Sequence, residues 1–294
     1  MNREGGFILL DKPAGLTSFS AVQQLKRKLS FSGKAGHAGT LDSFATGLLI
    51  CLTGSYTSLS DYFMAAEKTY AARFCFGKET DTLDPTGTVI RTAEIPNREM
   101  VEEVLKTFTG TISQVPPLYS AVHINGKRAW ERVRNNETIV IEPRSVTIFS
   151  LQMTAWDPPC ADFLIHCSKG TYIRSLARDV AISCGSCAHV EQLERVSIGS
   201  FSLKDSVTLE AADNAALRKL NPDSVVSLGL KPVSLSGTSA KAVLNGKQLE
   251  KITELKLCQK DGMYAAFAES GELCALLELL GGKWRYERVL QAVL

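Results

Sequence analysis

Asp42 lies in the stretch Gly36-His37-Ala38-Gly39-Thr40-Leu41-Asp42-Ser43-Phe44-Ala45-Thr46-Gly47-Leu48-Leu49, whose composition suits chemistry better than a surface turn. A lone aspartate in a loop ordinarily shapes a turn or caps a helix. Here Gly36, Gly39 and Gly47 let the backbone come close to a ligand, and His37 offers a flat polar ring. The apolar residues around Asp42 are placed to withdraw its carboxylate from water, which is how a side chain is tuned for reaction.

Two other groupings invite a chemical reading. Cys184 and Cys187, with His189 nearby, have part of a metal-binding spacing, but a zinc site needs four ligands and no second pair follows. No metal is therefore expected. The eight cysteines are scattered through a chain large enough to fold without staples, so reduced thiols are the expectation. Basic residues gather at Lys26-Arg27-Lys28 and Lys34, and again at Lys127, Arg128, Arg132 and Arg134 after Asn125-Gly126. Taken alone such clusters read as solvated helix faces, but they can also neutralise phosphates locally even when, as here, the formal net charge is only +2.

The elements that must hold these residues can be read from periodicity. Phe7 to Leu10 forms a strand closed by the Asp11-Lys12-Pro13-Ala14-Gly15 turn. A helix starts between Thr17 and Ser20, with Ser20 and Gln23 at capping-box spacing and Val22, Leu25 and Leu29 on one face. Leu48 to Leu52 reads as a buried strand. Tyr70 to Phe76 alternates as a strand and pairs as a hairpin with Val89-Ile90 across the Asp84-Pro85-Thr86-Gly87 turn. Val101 to Phe108 is an amphipathic helix ending at Gly110, and Tyr119 to Ile124 a strand before the Asn-Gly turn.

Val146 to Met153 and Phe163 to Cys167 are further strands, and Thr171 to Ala181 a helix stopped near Gly185. Strands and helices alternate without a βαβ repeat, which predicts an α+β fold whose mixed sheet is largely antiparallel and flanked by helices. Beyond about Leu230 short strands take over, including Met263 to Ala268 and Leu273 to Leu277, so a small β domain over residues 231–294 follows a larger one over 1–230. The apolar run Phe7 to Leu10 is too short for a signal-peptide core or a membrane span, so a cytoplasmic protein is expected.

The Gly36 to Leu49 stretch resembles the TruB family of tRNA pseudouridine synthases, whose signature reads G-H-[AT]-G-[TA]-L-D-P-x-A-T-G. Lys12-Pro13, Lys68-Thr69-Tyr70, Tyr119-Ser120-Ala121, His166 to Arg174 and Ala188-His189-Val190 follow in family order, and the likeness runs from about Gly6 to Glu210. It implies the pseudouridine-synthase sheet, with a C-terminal domain faintly similar to the PUA-like domain of bacterial members. The implied reaction isomerises the uridine at position 55 of the tRNA T-loop by breaking its N1 glycosidic bond and re-forming it through C5. The implied carboxylate is Asp42, acting on the ribose as a nucleophile at C1′ or as a base at C2′.

The resemblance further implies that Arg174 pairs with Asp42, keeping it ionised and oriented. Tyr70 would stack on the target base and Tyr172 line the same pocket. A uridine inside a folded T-arm must be flipped out, and His37 would fill the gap it leaves. Lys12 and Leu193 fall among the matched substrate-binding positions. Residues 119–144 correspond to a mobile insertion that closes over the RNA, with Lys127 and Arg128 in its basic cluster. The implied partner is the T-arm stem-loop of tRNA, with no membrane, guide RNA or obligatory protein and a monomer expected.

Two positions depart from the family: Ser43 replaces the proline after the aspartate, and Leu193-Glu194-Arg195 replaces a Leu-Arg-Arg run. The competing reading is an RNA-binding or tRNA-folding chaperone that works without catalysis. A serine hydrolase using His37 and Asp42 lacks the G-x-S-x-G elbow.

Overall fold

The computed structural model describes residues 5–290 apart from 121, 125 and 136. The chain divides into two compact units, one made of residues 1–41, 48–66 and 198–294, the other of 42–47 and 67–197. Each contributes strands to a mixed α+β architecture, as the sequence pattern predicts.

In the first unit the strand Gly6–Lys12 pairs in parallel with Val207–Thr208. The strand Thr46–Thr53, most of which lies in this unit, carries Ala35–His37 along it antiparallel, so that His37 faces Cys51 in the register. Helix Ser18–Lys28 begins at Thr17, whose side chain accepts from the Ser20 backbone N–H. The cap is therefore Thr17 rather than the expected Ser20 and Gln23 pair. Phe7, Phe63 and Phe201 close the core with ring centroids 5.2–5.6 Å apart.

Lys231, where the boundary between the two domains was expected, opens a separate four-stranded sheet. Its strands Lys231–Leu235, Gly262–Ala268, Leu273–Leu280 and Lys283–Val289 lie side by side in that order. This sheet belongs to the first unit. Helix Gly237–Leu244 packs on it, and the Glu254 carboxylate accepts from Ser236 N at 2.7 Å and Ser239 Oγ at 2.8 Å at the N-terminus of that helix. These bonds hold the carboxyl down at about 2.

In the second unit Lys68–Phe76 runs antiparallel to Cys160–Cys167, which runs antiparallel to Arg144–Asp157, with Gly110–Gln114 at the edge. The sequence-based hairpin is thus corrected. Lys68–Phe76 has Cys160–Cys167 as its partner, and Val89–Thr92 instead pairs with the short strand Lys78–Thr80. The expected strand over Tyr119 to Ile124 is reduced to His123–Ile124, paired with Lys127–Arg128. Two prolines at 116 and 117 precede it, and the Tyr119 carbonyl is engaged by the Arg174 side chain instead of a neighbouring strand.

Ala121 of the Tyr-Ser-Ala motif and Asn125 of the Asn-Gly turn lie outside the described residues. The expectation of reduced thiols fails at one place: Cys75 and Cys160, opposite each other in the strand register, form a disulfide with Cα atoms 4.0 Å apart. Among the described residues no helix is long and apolar enough to cross a membrane.

Candidate active site

The backbone around Asp42 is held on both sides. Leu41, immediately before it, is clasped by Ser18, whose Oγ donates to the Leu41 carbonyl at 3.0 Å and accepts from the Leu41 N–H at 2.8 Å. After Asp42, the Ala45 N–H donates to the Asp42 carbonyl at 3.2 Å and closes a turn. Gly47 then enters the strand at φ +99°, where a Cβ would lie 2.6 Å from the Arg195 carbonyl oxygen and 2.8 Å from its nitrogen. Only glycine tolerates both the dihedral and the approach. The approach itself comes from the parallel pairing of Arg195 with Gly47. Ser43, where the family has proline, is exposed, so its substitution disturbs no packing.

Arg174 is the organising cation. It sits in the first turn of helix Ile173–Ser183, with its side chain only 6% exposed. Its Nε lies 2.9 Å from Asp42 Oδ2. Nη1 donates to the Thr82 carbonyl at 2.8 Å and to Asp84 Oδ2 at 3.2 Å, and Nη2 donates to the Tyr119 carbonyl at 3.0 Å. The planar fork thus meets two carboxylates and two carbonyls at once, which an ammonium cannot do.

The two carboxylates differ in exposure. Asp84 is 7% exposed and also accepts from Thr82 Oγ1 at 2.8 Å and Thr86 Oγ1 at 2.6 Å. Asp42 keeps 35% of its side chain open. One carboxylate is spent inside the fold, while the other is oriented by Arg174 and still accessible.

Tyr70 projects from the strand Lys68–Phe76 and is buried. Burial pushes its hydroxyl above the usual tyrosine value. The Arg195 charge and a hydrogen bond from the Arg195 side chain pull the other way, and the nearby Asp42 charge adds to the rise. Tyr172 responds likewise, to burial first, with the Arg144 charge opposing and the Asp42 charge reinforcing. The charge of Asp42 is thus felt at both rings. Tyr172 also packs against the small cluster of Val122, Ala129 and Ile141.

Several site residues escaped the sequence reading. In sequence Asp84 reads only as a turn former, and Arg195, 1% exposed, only as part of a departure from the family pattern. Lys68, 7% exposed, is pushed down to about 8 by burial, with the Arg195 charge adding to the effect. A buried arginine and a buried lysine on neighbouring strands leave no periodic signal in sequence, since they occupy positions that otherwise hold core residues.

The remaining expected residues are placed as follows. Leu193 is buried on the strand Ala188–Ile198. The side chains of Lys127 and Arg128 lie outside what is described. In the first unit His37 ends its short strand, half-buried. Lys12 is fully buried, its ammonium donating to the carbonyls of Pro13 and Leu16, both at 2.9 Å, so it braces the turn that follows its strand. His189 meets the Lys78 carbonyl at 3.0 Å and Glu191 at 3.1 Å, while Cys184 and Cys187 are buried elsewhere. Among the described residues no three metal-ligating side chains gather.

The family described as TruB family pseudouridylate synthase (N terminal domain) matches residues 26–173. A tRNA pseudouridine synthase B of Borreliella burgdorferi (strain ZS7) is 43% identical over 260 residues, 86% of this chain and 90% of that protein. The protein of the same name from Zymomonas mobilis is 38% identical over 293 residues, 96% of this chain and 95% of the other. A crystal structure of a Cbf5-Nop10-Gar1 complex shares the fold at a TM-score of 0.73 and 24% identity, covering 97% of this chain and 84% of that one. With the signature loop carrying its aspartate onto a buried arginine, and with such relatives matched along most of their length, the chain belongs to the TruB family of pseudouridylate synthases.

Proposed function

We propose that this protein isomerises uridine 55 in the T-loop of tRNA to pseudouridine, with Asp42 as the reacting carboxylate. The observation that carries the assignment is the unequal pair on Arg174, where Asp84 is enclosed and Asp42 is held at 2.9 Å yet open. An oriented, accessible carboxylate is what either route to N1–C1′ cleavage requires, whether it attacks C1′ or takes the C2′ proton. The freed uracil turns, C5 bonds to C1′, the C5 proton leaves and N1 ends protonated, so the product is an isomer of the substrate and no co-reactant is consumed.

In this reading Tyr70 stacks on the flipped base and assists loss of the C5 proton. Tyr172 forms the pocket wall, His37 occupies the space left in the T-loop, and Lys127 and Arg128 meet phosphates. Lys12 and Leu193 support the RNA-facing surface from within. The insertion at 119–144 grips the RNA and residues 231–294 form a PUA-like module. The relatives named tRNA pseudouridine synthase B support tRNA as the substrate. The protein works in the cytoplasm as a monomer, without metal, nucleotide or guide RNA.

The test is incubation of the purified protein with an unmodified tRNA transcript, in chelator, followed by mapping of pseudouridine by carbodiimide-dependent primer extension. A stop at position 55 is expected. Tight tRNA binding with no modified base would leave a chaperone without catalysis.

A further inference from the structure

Helix Ile173–Ser183 delivers Arg174 from its first turn, yet it has no capping side chain of its own: Tyr172 stands at the N-cap, and its side chain makes no cap bond. The register of that turn is set from outside. Gln114, the last residue of the strand Gly110–Gln114, is 1% exposed. Its Oε1 accepts from the Tyr172 N–H at 2.8 Å and its Nε2 donates to the Tyr172 carbonyl at 3.1 Å. A backbone N–H only donates and a carbonyl only accepts, so the amide is matched at both ends and has one orientation. The same Tyr172 carbonyl accepts the first helical bond, from Leu176 N at 3.0 Å.

The chain leaving Gln114 stays fastened to the helix. The Val115 carbonyl accepts from Ser175 Oγ at 2.8 Å and from Arg178 Nη2 at 2.9 Å. Four residues on, the Tyr119 carbonyl accepts from Arg174 Nη2 at 3.0 Å. Residue 119 is where the RNA-gripping insertion begins. The root of the insertion and the Asp42 carboxylate therefore share one guanidinium.

We propose that Gln114 is a positioning residue for the isomerisation: its two-ended clasp on Tyr172 fixes the turn from which Arg174 reaches Asp42, and couples the seating of the insertion to that reach. This rests on the reading of Asp42 as the reacting carboxylate. Gln114 touches no reacting atom and acts through Arg174. Small displacements of a positioned group carry large rate penalties, whereas RNA affinity is spread over many phosphate and base contacts that Gln114 does not make.

The test compares wild type with Gln114→Met and Gln114→Glu on an unmodified T-arm stem-loop transcript. Single-turnover rate, RNA Kd from filter binding and thermal unfolding are measured for each. Gln114→Met fills nearly the same space and removes both bonds. Its rate should fall about 30-fold while Kd stays within about threefold. Gln114→Glu keeps the acceptor for the Tyr172 N–H but loses the donor to the Tyr172 carbonyl until the carboxyl is protonated. Its rate relative to wild type should therefore climb as pH falls, a rescue that a role in packing alone would not give.

A Gln114→Met rate near wild type overturns the proposal, as does a rate loss matched by an equal loss of RNA affinity. If Gln114→Met fails to fold, the pH ratio of Gln114→Glu decides, and a flat ratio overturns it. Asp42→Asn is run alongside. Retained activity there would sink the underlying reading, whereas an inert Asp42→Asn beside an unaffected Gln114→Met would sink only this inference.

Discussion

Asp84 and Arg174 are both nearly withdrawn from water, 7% and 6% exposed, and Asp84 Oδ2 lies 3.2 Å from Arg174 Nη1. A buried guanidinium with that partner cannot be exchanged for another cation without leaving groups unmatched. Arg174→Lys keeps the charge but loses the planar fork that reaches Asp42, Asp84, Thr82 and Tyr119 together. Breaking up a buried pair of this kind costs about 3–5 kcal/mol when one charge is stranded. We expect Arg174→Lys to lower stability toward the bottom of that range and the single-turnover rate by about a hundredfold or more. Urea unfolding and rapid-quench assays measure the two effects, and an unchanged rate would remove Arg174 from the site.

Asp42→Asn preserves shape and removes the negative charge that either chemical route uses. The rate of pseudouridine formation should fall by at least about a thousandfold, with T-arm affinity changed less than about threefold. Equal losses of rate, RNA binding and stability would instead make Asp42 a residue of loop structure.

Gly47→Ala probes the loop from its far end. At φ +99° an L-residue is strained by about 1–2 kcal/mol, and the new Cβ must also displace the Arg195 backbone 2.6–2.8 Å away. The chain at Arg195 is bound in the sheet, so a combined loss of about 3 kcal/mol is expected, with activity falling too. A variant as stable as wild type by thermal unfolding would contradict the close approach.

Lys68 gives a pH signature. Its ammonium is pushed down to about 8 from 10.5 by burial. Below about pH 8 the group is charged in both folded and unfolded chains, and folding bears the full cost of desolvating it. Between about 8 and 10.5 the unfolded chain holds more protons than the native one, so the stability attributable to Lys68 rises with pH. Relative to Lys68→Met, wild type should gain on the order of 3 kcal/mol between pH 7 and 10.5 in urea titrations. The slope of the difference is the test, since replacement also forfeits contacts at every pH. A flat or falling difference would refute the buried, depressed ammonium.

Elements with strong periodicity were legible in the sequence, including the Leu48–Leu52 strand within Thr46–Thr53 and the Val101–Phe108 helix, observed at Arg98–Thr107. Pairing between distant strands was not. Nothing local to Tyr70–Phe76 announces Cys160–Cys167 as its neighbour, and the nearby Asp84-Pro85-Thr86-Gly87 turn drew the hairpin to the wrong arm. Of the site, Asp42, Tyr70 and Arg174 could be named because the signature loop and its companion motifs carry them. Asp84 could not be separated from an ordinary turn aspartate, for its carboxylate acquires meaning only when a helix starting at Ile173 brings Arg174 beside it. Gln114 was invisible for the same reason: a buried glutamine reads as one polar residue at a strand end until both of its partners are known.

The ion pair of Asp42 with Arg174 and the pairing of Gly47 with Arg195 bear on loop length more than on loop composition. Residues between the two anchors can change identity, as Ser43 shows, because most of their constraints are on the backbone. Adding or deleting a single residue there has no such latitude. With both ends fastened, a one-residue slip turns the aspartate away from its guanidinium or tears one fastening open, and the short span has too little slack to absorb it. Residues 43–46 should therefore accept many substitutions and no insertions, the reverse of the tolerance found in ordinary surface loops.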